Sequence, residues 1–215
     1  MKGMTGVPFY ANTDNSHCFQ ACFKMALEYF KPDQAFTFEE LDVLSDKPPG
    51  MPTWPTTMLV RLKEMGLTVK MIEGFDFRAF MRDGEGYIRK AVGGQAAEWQ
   101  ISHSNIPKEQ QAYRDALDAG VEIDYRVPDY QDIQRELVGN TLAILSLNSA
   151  RLNGQEGYVG HAVLIHTADD QSVVMHNPGP PPQESKLVSK EDLLAAWSDP
   201  NETSRTLILI GKDNK

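Results

Sequence analysis

Cysteine is scarce in this 215-residue sequence: only Cys18 and Cys22 occur, and two cysteines cannot build the disulfide scaffold of a small secreted domain. They stand four apart in a segment with helical signals, so their side chains stack along one helix face in poor disulfide geometry. The simpler reading is a reduced, cytoplasmic setting with at least one thiol free for chemistry. Positive charge is also in short supply, since 21 Lys and Arg against 30 Asp and Glu leave a formal charge of −9. Nucleic acid and anionic membrane surfaces bind a concentrated field of Lys and Arg; here those residues are scattered, which disfavours both as the main partner. Long apolar runs are missing too. The longest, Thr141 to Leu147 and Thr206 to Ile210, fall far short of the roughly 20 residues that cross a bilayer, so no membrane span is expected. The opening MKGMTGVPFY lacks the apolar core of a signal peptide. Internal repeats are absent, and low complexity is confined to GPPP at Gly179 to Pro182.

What is present is a normal share of core-forming residues, 41% apolar, enough for a single domain spanning residues 1–215. An extended entry at Val7 to Tyr10 leads through a polar turn, Asn12 to Ser16, into a helix from about His17 to Phe30. Cys22, Met25, Ala26 and Tyr29 form its apolar face, Asp14 or Ser16 can cap its start, and Pro32 ends it. Thr37 to Glu40 fits a capping box for a helix near Phe38 to Leu44, and Pro55 opens another that runs to Met65. Gly66 closes it, and Leu67 to Ile72 alternates like a strand. From Gly74 to Val127 the periodicity weakens: a glycine-punctuated stretch (Asp83 to Gly94) precedes a polar helix around Lys108 to Ala119 and an extended piece at Ile123 to Val127. This segment reads as a variable insertion or subdomain. After a helix at about Tyr130 to Val138, three apolar runs follow closely, Thr141 to Leu147, Gly160 to Thr167 and Ser172 to His176, and these read as adjacent strands. A capped helix (Ser189 to Trp197) and a strand (Arg205 to Gly211) finish the chain. Helices first and sheet second is an α+β order.

Cys18 falls in the first turn of its helix, where unpaired N–H groups and the macrodipole favour an anion, so its thiolate is expected to be stabilised and nucleophilic. Cys22 lies one turn deeper on the apolar stripe and reads as core. The segment VPFYANTDNSHCFQACFKMALEYF, followed far downstream by GHAVLIHTADDQSVVMHNPG, resembles the C39 and C39-like branch of the papain-like cysteine peptidases. In that family a Gln six residues before the Cys serves the oxyanion, the Cys opens a helix, a His begins a strand in a Gly-His-(apolar) motif, and an Asp or Asn before Pro completes the triad. The resemblance implies a papain-like fold, with the nucleophile helix in an N-terminal helical half and an antiparallel sheet in the C-terminal half. It also implies Cys18 as nucleophile, His161 as base, Asn177 as the residue orienting the imidazole, and Asn12 at the oxyanion position. It covers roughly Val7 to Phe30 and Thr141 to Pro178. Two departures stand out: the family's Gln is Asn12, and its Cys-Gly pair is Cys18-Phe19.

Strand alternation sorts the histidines. His161 shares a face with Val163 and Ile165 while His166 points the other way, and His176 and Asn177 likewise diverge. His17 diverges from Cys18 on the helix, and His103 lies in a polar, solvated segment. Asn177-Pro178-Gly179 is also an ordinary turn signal, and Asn12 sits where turns make Asn common. No paired ligands occur at C-x2-C or H-x3-H spacing, so neither a metal nor another cofactor is expected. The residue types suit acyl transfer: a thiol, an imidazole, an orienting amide and oxyanion donors. The expected activity is hydrolysis of a peptide or isopeptide bond in a peptide or protein substrate. An acyltransferase or transglutaminase-like enzyme of the same fold, an inactive peptide-binding module and a thiol redox sensor remain open alternatives.

Overall fold

The thirteen residues after His17 are apolar almost all round, and a helix of that kind is stable only when other elements enclose it. In the computed structural model, which describes residues 2–12, 14–137 and 139–212, this segment is the enclosed helix of the fold. In chain order the elements are β1 (Lys2–Gly3), α1 (Cys18–Phe30), α2 (Phe38–Ser45), α3 (Thr56–Glu64), β2 (Thr68–Glu73), α4 (Phe77–Asp83), α5 (Glu85–Ala91), α6 (Gly94–Ser102), α7 (Ile106–Asp118), β3 (Glu122–Tyr125), α8 (Tyr130–Glu136), β4 (Thr141–Asn148), α9 (Ser149–Leu152), β5 (Gly160–Ala168), β6 (Ser172–Asn177), β7 (Gln183–Ser189), α10 (Lys190–Trp197) and β8 (Thr206–Gly211). α1 buries Ala21, Cys22, Phe23, Met25, Ala26, Leu27 and Phe30. Gln20 is buried with them, and its amide is satisfied by Ser45 Oγ at 3.0 Å and Thr53 Oγ1 at 2.9 Å.

The sheet runs in the order β3-β2-β8-β4-β5-β6-β7, with β1 pairing on β5. Every pairing is antiparallel except β2 with β3. Alternation along β5 divides the interior into two layers. Ala162 and Leu164 face the layer built around α1, with Leu142 and Ile144 from β4. Val163 and Ile165 face the opposite layer with Trp197 and Leu193 of α10 and Ile133 of α8. The architecture is thus α+β and papain-like, with α1 packed across β5. β2 and β3, although early in the chain, extend the same sheet through β8.

Several local expectations are met. The Thr37 capping box has both of its hydrogen bonds, Ser189 caps α10 through Asp192 N–H, and β4, β5, β6 and β8 lie where the apolar runs placed them. Others differ. His17, not Asp14 or Ser16, is the N-cap of α1, and no side chain caps it in the usual way. Asp14 instead accepts from the Ser16 N–H at 3.0 Å in an Asx turn, and Asn12 Oδ1 accepts the His17 N–H at 3.2 Å. Val7 to Tyr10 is irregular and not a strand. The glycine-rich stretch is helical: Gly84 and Gly93, both at positive φ, begin α5 and precede α6, so three short helices replace the weak periodic signal. β7 is an unexpected edge strand whose Gln183, Glu184, Ser185 and Lys186 carry no apolar alternation. Val138, the expected end of α8, and Thr13 in the entry turn lie outside the described residues.

Candidate active site

Cys18 is the first residue of α1, half-buried, and neither cysteine is in a disulfide. Its sulfur meets β5 at the backbone N–H of Ala162, the residue after His161, and the Phe19 and Cys18 N–H groups also favour its anion. Burial outweighs them and pushes the thiol up. The thiolate expected from the helix N-terminus alone is therefore not the favoured resting form, because desolvation of the charge costs more than the dipole returns. Cys22, fully enclosed, is pushed up much further by burial, as suits a core residue.

His161 and Asn177 are both buried, and His161 Nε2 lies 2.8 Å from Asn177 Oδ1. The network fixes their protonation. Asn177 Oδ1 also accepts the Gly179 N–H at 3.0 Å, so it is the carbonyl oxygen of the amide. The imidazole must then donate from Nε2, leaving a lone pair on Nδ1. Burial lowers the His161 pKa, the Asn177 contact opposing it, so neutral imidazole is favoured.

Asn12 is buried at the entrance to α1. Its backbone N–H donates to Pro178 O at 2.8 Å and its Nδ2 to Gly179 O at 3.3 Å, while Oδ1 accepts from His17. Asn12 thereby joins the start of the Cys18 helix to the turn that follows Asn177. The structure brings His161 and Asn177 into direct contact, links Asn12 to the Asn177 turn, and sets Cys18 against the strand residue beside His161. Phe19 stacks on Phe23 at 5.9 Å between ring centroids.

The remaining histidines are accounted for. His166 and His176 face each other across β5 and β6 at 4.6 Å, on the layer opposite to Val163, and bind the N-terminal segment through Met4 O and Val7 O. His176 is fully enclosed, a packing residue. His103 is half-buried and stacked on Trp99, so its ring is less solvated than its polar surroundings implied. His17 lies between two carboxylates, with Nδ1 2.6 Å from Asp14 Oδ2 and Nε2 2.9 Å from Asp42 Oδ2. Asp42 and its neighbour Lys47 were not singled out from the sequence, since contacts across 25 or more residues leave no local spacing to read. Among the described residues no group of three or more His, Cys, Asp or Glu is arranged to hold a metal, and no helix is long and apolar enough to cross a membrane.

These elements place the chain in the class of papain-like α+β domains, with the fold of a C39 peptidase domain. Among solved structures, the peptidase domain of Streptococcus ComA, a bi-functional ABC transporter involved in a quorum-sensing pathway, aligns with TM-score 0.52 at 11% identity, covering 96% of this chain and 99% of that chain. At that identity the likeness is one of fold. No family model and no curated protein matches the sequence.

Proposed function

We propose that the protein is a cysteine peptidase that hydrolyses a peptide or isopeptide bond in a peptide or protein substrate through a Cys18–His161–Asn177 triad. The observation that carries this reading is the 2.8 Å contact of His161 Nε2 with Asn177 Oδ1, which leaves Nδ1 as the proton acceptor, on the residue next to the Ala162 N–H that the Cys18 sulfur meets. Thiol and imidazole rest neutral, so the proton moves during attack. Sγ bonds to the substrate carbonyl carbon as His161 Nδ1 takes the thiol proton. The oxyanion is met by the Cys18 N–H and by the second Nδ2 hydrogen of Asn12, the first being engaged by Gly179. Collapse breaks the C–N bond, and the imidazolium passes its proton to the leaving amine. Water, deprotonated by His161, then attacks the thioester, releasing the acid and restoring the thiol.

The test is turnover of a fluorescence-quenched peptide library by wild type, Cys18→Ala and His161→Ala, with far-UV circular dichroism as the folding control. Wild type cleaves and both variants are inactive but folded; equal cleavage by wild type and Cys18→Ala ends the proposal. Transfer to an added amine in place of water would identify an acyltransferase.

A further inference from the structure

Lysine is among the residues most rarely buried, yet the side chain of Lys47 is 1% exposed. Its place is fixed from both sides. Asp46 turns the chain out of α2 through a left-handed conformation, after which the Lys47 N–H donates to Asp42 O at 2.9 Å. Ser45 and Thr53, flanking the loop that carries Lys47, both bind the amide of Gln20, two residues beyond Cys18 on α1. The loop is thus stapled to the helix at the turn that bears the nucleophile. A row of polar contacts runs along this turn: Asp14 against His17 at 2.6 Å, His17 against Asp42 Oδ2 at 2.9 Å, and Asp42 Oδ2 to Lys47 Nζ at 4.0 Å. The last distance is too long for a hydrogen bond, so Asp42 holds the ammonium by field alone. The second oxygen of Asp42, Oδ1, is buried without a partner among the described residues.

We propose that Lys47 is a positioning residue for the nucleophile, a buried ammonium whose field favours the Cys18 thiolate as its proton leaves. This rests on the reading of Cys18 and His161 as nucleophile and base. The charge of Lys47 acts on the sulfur in the direction that lowers the thiol's pKa, against the burial that raises it. The ionisable groups set against this corner are His17 and Asp14 before α1 and Asp42 on α2. A cation in a poorly solvated corner acts more strongly on a thiolate than it would in water, and it needs no contact with substrate to do so.

The experiment is the rate of Cys18 alkylation by iodoacetamide across pH, read by peptide mass mapping so that Cys22 does not contribute. Lys47→Met and Lys47→Gln are expected to slow labelling at pH 7 by about tenfold, the equivalent of one unit in the thiol pKa, and Lys47→Arg to restore most of it. Asp42→Asn, which removes the opposing anion, is expected to speed labelling. A general loosening of the corner would move all of these variants the same way. Profiles of Lys47→Met and Lys47→Gln that superimpose on wild type overturn the proposal, as does slowing by Asp42→Asn equal to that by Lys47→Met. Should neither lysine variant fold, the sign of the Asp42→Asn effect decides. His161→Ala run in parallel separates the two readings: a Lys47 effect with no His161 effect upholds the lysine's role and overturns the Cys–His pair.

Discussion

Glu73, at the end of β2, is a carboxyl group whose environment makes folding depend on pH. It is 4% exposed, and Tyr113 Oη donates to its two oxygens at 3.1 and 3.3 Å within a wall of Phe75, Phe77 and Phe80 rings around the tyrosine. Burial raises its pKa from 4.5 to about 8, the tyrosine only partly opposing it. The folded protein therefore keeps this proton where the unfolded chain releases it, and stability falls as pH rises from about 4.5 to about 8. Between pH 5 and 7.5 the loss comes to about 3 kcal/mol, from 1.36 kcal/mol per unit of pKa difference integrated over that window. Glu73→Gln keeps an oxygen for Tyr113 and abolishes the titration. Its second amide hydrogen is an added buried donor, which shifts the absolute stability but not its pH dependence. Urea unfolding of both proteins at pH 5 and 7.5 is expected to show the variant gaining about 3 kcal/mol on wild type over that interval. Parallel pH dependences would refute the reasoning and show Glu73 ionised in the folded state.

Three further outcomes follow from the geometry. Asn12→Ala is expected to lower kcat by about 10²-fold or more, as loss of an oxyanion donor does, with KM much less affected; an unchanged kcat would restrict Asn12 to holding the Asn177 turn. Cys22→Ala is expected to cost about 1 kcal/mol in chemical denaturation through the small cavity it leaves in α1, with turnover retained. The acid limb of kcat/KM is expected below 6.5, because burial lowers the His161 pKa from that value and the base is lost only when the ring protonates; a limb above 6.5 would contradict the neutral resting imidazole.

Much of the fold was legible because the relevant segments carry strong local signals. The apolar stripe of α1, the Thr37 capping box and the runs in β4, β5, β6 and β8 each announce their element. Alternation along β5 sent His166 to the far side from His161, where it meets His176. β7 was hidden because an edge strand needs no apolar face, and its Gln-Glu-Ser-Lys start looks like loop. The helices of residues 77–102 were hidden because each is too short for its period to register between glycines. At the site, the resemblance to the C39 branch implied Cys18, His161 and Asn177, but the protonation pattern did not follow from it. The helix N-terminus argues for a thiolate, and only the degree of burial reverses it. The tautomer of His161 likewise depends on the Gly179 N–H that occupies Asn177 Oδ1. Lys47, set between Asp46 and two prolines, looks like a solvated loop residue until Gln20 is seen to tie that loop to α1.

The most direct test of the central claim is the pH dependence of Cys18 labelling by iodoacetamide in the Cys22→Ala protein, with and without His161→Ala. A Cys18–His161 pair of the kind described gives labelling at pH 7 at least about tenfold faster with the histidine than without it, since general-base assistance is worth that much or more. Superimposable curves, both rising at the pH of an unassisted buried thiol, would contradict the account and leave Cys18 a structural cysteine on a papain-like fold.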